Sequence, residues 1–317
     1  LKHDNLSEAT RFLANELFGK HGLVIIDADD NKLKSQFVPY VKRELLEQIS
    51  FEKVSKTNDK INELGFNVQV NPREINLFYL KDGLRERIIF ENEVYKVVDT
   101  NISWSKSELL EHLDEVPERF SPNVIMRPLY QEVILPNLCY IGGGGELAYW
   151  FQLKSYFKAV DVPFPMLLLR NSVLIKTSKQ SDKLEKLDLS IKELFLKQEV
   201  LVNKQVEKHS KIDIDFSTQK EHLQNQFNAL YKLAEQTDKS FIGAVAAQEK
   251  KQLKGLNNLE KRLLKAQKRK LNDQISRITD IQDQLFPGQS LQERNLNFSE
   301  LYLEFGNQLI QQLMLNL

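Results

Sequence analysis

"LPNLCYIGGGGELAYWFQLK" (residues 135–154) places four consecutive glycines between an apolar, strand-like run and an aromatic, helix-like one. The chain has only 12 glycines in 317 residues, so this concentration needs a reason. Each glycine in an ordered loop costs conformational entropy. Its return is access to positive φ and close approach of the backbone to a neighbour. A strand, a glycine turn and a helix start together form an anion site, because the first N–H groups of a helix are unpaired and its dipole is positive there. "IGGGGE" is neither a GxGxxG fingerprint nor a GxxxxGK[ST] phosphate loop, and no lysine, serine or threonine follows to hold a phosphate or magnesium. Glu146 falls in the first turn, where its charge complements the dipole, repels an anion and favours an ammonium group. Two readings stand: a ligand approaches the backbone of Gly142, Gly143, Gly144 and Gly145, or strand and helix pack unusually tightly.

Neighbouring residues extend the candidate site. Tyr149 lies one turn after Glu146 and can flank the same pocket. Arg127 and Gln131 share a helix face at i, i+4 and can hold a carboxylate, although an ordinary salt bridge explains the arginine as well. Asp27, Asp29 and Asp30 end the run "LVIIDADD" (23–30), read as a buried parallel strand. Open α/β sheets bind ligands at such strand ends, and solvated loops are equally acidic. Cys139 reads as a buried structural thiol, and the five histidines show no metal-ligand spacing.

Further out, two halves differ in pattern. Up to about residue 178, helices "SEATRFLANELFGKHG" (7–22) and "FVPYVKRELLEQI" (37–49) alternate with short apolar runs, the pattern of an α/β layer. Ser7 is the N-cap expected for the first helix. Between 51 and 120, "FNVQV", "NLFYLKDG" and "RIIFENEVYKVV" read as short antiparallel strands of an insertion, followed by a helix near Ser105 or Ser107. The α/β pattern resumes with helices over 123–135 and 145–160 and strands over 138–143 and 165–175. The expected divisions are 1–50 and 121–178 for the core, 51–120 for the insertion, 179–285 for a helical arm and 286–317 for a returning C-terminal helix.

The arm rests on heptad spacing. Leu223, Phe227, Leu230, Ala234, Thr237, Phe241 and Ala244 alternate by four and three, and Leu256, Leu259, Leu263 and Ala266 keep that spacing. The phase slips across 268–270, and Gly243 and Gly255 weaken the middle, which leaves one long helix or two. Residues 249–270 carry nine basic residues and two acids, a solvated face, a partner-helix surface or a phosphate contact.

Composition narrows the classes. The 44 basic and 44 acidic residues balance, which argues against a general nucleic-acid or membrane-surface binder. One cysteine permits no internal disulfide, so a cytoplasmic compartment is expected, and no apolar run reaches the length of a membrane span. The chain begins without Met and reads as a fragment.

"SPNVIMRPLYQEVILPNLCYIGGGGELAYWFQLK" (121–154) closely resembles the BshC family, the cysteine-adding enzymes of bacillithiol biosynthesis. "HGLVIIDADD" (21–30), "LEKRLLKAQKRK" (259–270) and "LFPGQSLQERNLNFSELYLEFG" (285–306) resemble the same family, which usually carries a proline within the glycine loop and extends beyond both ends of this chain. The resemblance implies a Rossmann-like core akin to class I aminoacyl-tRNA synthetases, a connecting insertion and a coiled coil that forms a homodimer. It also implies a ligase joining L-cysteine to glucosaminyl-malate, with ATP or another nucleotide activating the carboxylate; the residues themselves show no metal site. In that scheme Glu146 holds an ammonium group, the loop N–H groups polarise an oxygen, and Asp27 or Asp29 binds a ribose or sugar hydroxyl. Lys268, Arg269 and Arg294 are the further candidates for nucleotide contacts. The competing expectation is a coiled-coil interaction or RNA-binding module on a nucleotide-binding α/β platform.

Overall fold

The computed structural model describes residues 3–237 and 239–317. Two compact units divide the chain, Leu1–Arg170 and Asn171–Leu317.

The first unit opens with α1 (Leu6–Phe18), capped by the Asn5 side chain rather than by Ser7. α2 (Asn31–Glu47) is capped by Asp30, whose carboxylate accepts from Lys32 and Leu33 N–H, so the acids of the "DADD" run start a helix. Gln48 in the left-handed region turns the chain straight into α3 (Ile49–Glu63), a helix where the insertion was expected to begin. "FNVQV" is not a strand either. Strands β1 (Leu77–Lys81), β2 (Leu84–Glu91), β3 (Val94–Val97) and β4 (Ser103–Trp104) are followed by α4 (Lys106–Glu115) and β5 (Phe120–Pro122). These strands form one antiparallel sheet in the order β4-β3-β2-β1-β5. Both of its tight hairpins have turn residues at positive φ: Gly83 between β1 and β2, Asn92 and Glu93 between β2 and β3. Ser105 caps α4 in a reciprocal capping box with Glu108.

α5 (Arg127–Ile134), β6 (Cys139–Gly142), α6 (Gly144–Phe151), α7 (Lys154–Ala159) and β7 (Met166–Leu169) follow. β6 and β7 pair in parallel, from Cys139↔Met166 to Gly142↔Leu169, with two short helices as the crossover. The expected strand at 23–30 does not form. Leu23, Val24 and Ile26 belong to no regular element and are exposed, and among the described residues no strand pairs with them. An apolar run becomes a strand only where a neighbour takes its backbone hydrogen bonds, which periodicity cannot supply.

The second unit is helical: α8 (Ser178–Lys186), α9 (Gln198–His209), α10 (Ser217–Ala234), α11 (Lys239–Lys270), α12 (Asn272–Leu285), α13 (Gln292–Asn295), α14 (Phe298–Phe305) and α15 (Asn307–Asn316). The unbroken heptad phase from 223 to 244 hides a reversal. α10 ends at Ala234 and α11 returns antiparallel to it: Glu249 accepts from Gln224 and Tyr231, while Glu260 takes Lys220 and the N–H of Phe216. Phe227, Ala234 and Val245 are buried together in this hairpin. Gly243 and Gly255, which the sequence marks as weak points, lie within one continuous helix.

Candidate functional site

β6 delivers the chain to the glycines with Tyr140 and Gly142 on one face and Cys139 and Ile141 on the other, as strand alternation dictates. Gly142 and Gly143 are buried, whereas Gly144, Gly145 and Glu146 are exposed in the first turn of α6. None of the four glycines has positive φ, so left-handed freedom is not why they are there. At Gly142 the reason is packing: an added Cβ would stand 2.7 Å from a ring carbon of Tyr140. That ring cannot yield easily, because it stacks on the buried Trp150 at 4.1 Å. At Gly144 and Gly145 an added Cβ would meet nothing within 4 Å. Those two leave the start of a helix bare toward solvent, open to something from outside. Tight packing therefore accounts for Gly142, while the space beside Gly144 and Gly145 is open.

Glu146 turns back on the loop, and one carboxylate oxygen accepts from Gly143 N–H at 2.7 Å. Its other oxygen has no hydrogen-bond partner among the described residues. Across from it, α5 presents Arg127, which donates to the Tyr149 hydroxyl and, at 3.3 Å, to the Gln131 side-chain oxygen. Three of the residues singled out in the sequence thus meet, and Tyr149 ties α5 to α6. No ion pair joins Arg127 to a carboxylate among the described residues, so the salt-bridge explanation of this arginine fails. Burial works against its charge, but the Tyr149 and Tyr140 oxygens outweigh that, leaving its pKa above the ordinary guanidinium value. Burial, then Tyr149 and Glu146, raise the pKa of Tyr140, which stays protonated.

The acidic run has structural partners of its own. Asp27 pairs with Arg11 at 2.8 Å and Asp29 with Lys34 at 3.0 Å. The buried Tyr130, on α5 three residues after Arg127, donates to the Ala28 carbonyl at 2.8 Å and so fastens this run to the helix that carries Arg127. Burial first, then Asp29, Asp30 and Asp27, push the Tyr130 hydroxyl up to about 12. Lys268 and Arg269, at the end of α11, and Arg294, on α13, belong to the second unit, where no hydrogen bond or ion pair links them among the described residues. No group of three or more His, Cys, Asp or Glu side chains is placed to hold a metal among the described residues, and none of their helices is long and apolar enough to cross a membrane.

Comparison with known proteins decides the family. Residues 1–171 match the bacillithiol biosynthesis BshC N-terminal Rossmann-like domain, and residues 173–317 match the BshC C-terminal coiled-coil domain. The chain belongs to the BshC family. It is 65% identical over 314 residues to a protein of Christiangramia forsetii and 63% identical over 310 residues to one of Flavobacterium johnsoniae, each named "Putative cysteine ligase BshC". These alignments cover 99% and 98% of this chain and 58% of each relative. A relative of the same name from Cytophaga hutchinsonii is 39% identical over 289 residues, covering 91% of this chain and 55% of its own length.

Within the BshC Rossmann-like domain, the site gathers a half-buried cation, two phenols, one carboxylate and an open helix start. Sequence reading overlooked Tyr140, although alternation places it on the face of Gly142. It also overlooked Asn123, whose side-chain oxygen accepts from Ile125 N–H at 2.8 Å and whose carbonyl takes Arg127 N–H at 2.8 Å. An asparagine immediately ahead of an apolar run, the mark of an Asx turn, was the available signal.

Proposed function

We propose that this chain carries an amino-acid-binding part of a cysteine ligase that joins L-cysteine to glucosaminyl-malate, the last step of bacillithiol biosynthesis. One observation carries the reading: Arg127 is a half-buried cation with no ion-paired acid among the described residues, and Tyr149 links it to the helix that begins with bare glycines and Glu146. A ligand bearing a carboxylate and an ammonium group satisfies both charges. Arg127 takes the carboxylate in a charge-assisted bond, and Tyr149, held by that guanidinium, fixes its direction. The free oxygen of Glu146 takes the ammonium. Gly144 and Gly145 let an oxygen reach the N–H groups of the first turn, where negative charge is stabilised. In amide formation the sugar amine's lone pair makes the new C–N bond, a carboxyl oxygen departs and the nitrogen loses a proton. A nucleotide, ATP or another, would make that oxygen a leaving group, and the open helix start fits a phosphate oxygen as well as a carboxylate. Asp27 and Asp29 are kept for sugar or ribose hydroxyls, Gln131 for orienting Arg127, and Lys268, Arg269 and Arg294 for a nucleotide.

A cytoplasmic homodimer completes the reading: Leu230, Leu233 and Leu259 remain exposed on the α10–α11 hairpin, a surface for a second copy. The alternative, an RNA-binding arm, draws on Lys250, Lys254, Lys261, Lys265 and Lys268, none of which forms an ion pair among the described residues. Steep loss of RNA affinity with added salt would favour it. The deciding experiment supplies the protein as its gene encodes it with L-cysteine and glucosaminyl-malate, with and without ATP, and detects bacillithiol by mass spectrometry. Nucleotide-dependent product is expected. Arg127→Ala should raise the KM of one substrate by roughly tenfold or more, since a charged hydrogen bond contributes about 1.5–3 kcal/mol. No product from folded protein under any nucleotide condition sinks the proposal.

A further inference from the structure

One line of buried polar side chains runs through the core of the first unit from α2 toward α5. Glu44, Ser50 and Asn76 are each 0% exposed. Glu44 has no cationic partner among the described residues. Its carboxylate accepts from the Ser50 hydroxyl at 2.6 Å and N–H at 3.2 Å, and from the Asn76 backbone N–H and side-chain amide, both at 3.1 Å. Burial pushes the Glu44 carboxyl above its usual range, and these donors work against that push. An apolar side chain of similar volume would often stabilise a core as well or better, so what a buried polar line adds is direction.

The line leads to Arg127. Asn76 Oδ1 accepts from Arg73 N–H at 3.0 Å and from the Asn123 side-chain amide at 2.9 Å, and the Asn123 N–H returns to the Asn76 carbonyl at 3.0 Å. Asn123 then holds the entry to α5 through Ile125 and Met126 N–H, and its carbonyl receives Arg127 N–H. No side chain caps the first turn of α5 from the N-cap position itself, so the start of this helix is aimed by Asn123.

We infer that Asn123, anchored through Asn76 to Glu44, is a positioning residue that aims Arg127 at its ligand. The inference rests on the reading of Arg127 as the group that holds a substrate carboxylate. Asn123→Asp keeps the oxygen that receives Ile125 and Met126 N–H but replaces the donor facing Asn76 Oδ1 with an acceptor. Asn123→Ser retains a capping oxygen and removes that donor without adding charge. Both variants are compared with Arg127→Ala in the protein as its gene encodes it, measuring KM for each substrate, kcat and Tm. The expected result is a rise of roughly tenfold in the same KM that Arg127→Ala raises, with kcat changed less, because small misplacements of a binding group act on affinity and orientation. A lowered Tm with unchanged KM, while Arg127→Ala still raises it, makes the line purely structural and overturns the inference. Failure of both variants to fold overturns it too. If Arg127→Ala itself leaves every KM unchanged, the reading of the site fails and the inference falls with it.

Discussion

At the scale of single residues, the four glycines separate into two jobs with opposite mutational signatures. Gly142→Ala drives a Cβ against the Tyr140 ring, which is pinned on Trp150, and should cost about 1–3 kcal/mol in urea unfolding. Gly144→Ala and Gly145→Ala fill empty space in a helix, so they should raise stability by up to about 1 kcal/mol. If a ligand docks there, the same two variants must lose affinity while gaining Tm, and a gain of both would argue against docking. A second residue-scale test concerns acid. Ser190 N–H first, then Lys204, hold the Glu193 carboxyl down from the ordinary 4.5 to about 2. A depressed carboxyl stabilises the fold above its unfolded pKa and loses that contribution as pH falls through its folded one. Between pH 4.5 and 2, stability should therefore decline with acid, and Glu193→Gln should flatten that decline. The measurement is thermal melting of both proteins across this range.

At the scale of elements, the arm shows why periodicity misleads at reversals. Leu223, Phe227 and Ala234 on one helix pack with Ile242 and Val245 on the next, whereas Phe241 and Ala244, which the heptad spacing selects, are exposed, so the phase read through the reversal does not carry across it. Heptads report a buried face but not the direction of the helix covering it. Phe227, 3% exposed, sits inside that hairpin. Phe227→Ala should cost about 3–5 kcal/mol and open the hairpin locally, seen as faster hydrogen exchange over 217–250 with the antiparallel sheet unaffected. The α/β half was more legible where turns carry their own chemistry. "KDG" and the Ser105–Glu108 capping box are local devices, and both are found where the residues place them. "LVIIDADD" depended on a distant neighbour and did not become a strand.

At the scale of the whole molecule, the two units have separate cores. Phe37, Leu77, Ile125, Trp150 and Tyr156 belong to one, and Leu194, Leu201, Ile278 and Leu285 to another. Domains with their own cores fold as units. Residues 1–170 and 171–317, produced separately, should each show a cooperative urea transition with its own helical or mixed circular-dichroism spectrum. A unit that stays unstructured alone would mean that its core needs the other. The family models divide the chain between 171 and 173, close to this structural boundary.

By itself the sequence determined the class of each half, the glycine loop as the place to look, and the family, because these are recorded in local spacing and in runs of identical residues. Arg127, Gln131 and Tyr149 were also legible, as separate candidates on two helices. Their meeting was decided only in three dimensions, where α5 and α6 bring residues 22 positions apart into hydrogen-bonding reach. The same holds for the absence of an ion-paired acid at this arginine among the described residues, and for Glu44, Asn76 and Asn123, which lie 32 and 47 residues apart in sequence and form one line. Hydrogen bonds across such separations leave no periodic trace, since a polar residue in sequence reads the same whether water or a buried amide satisfies it.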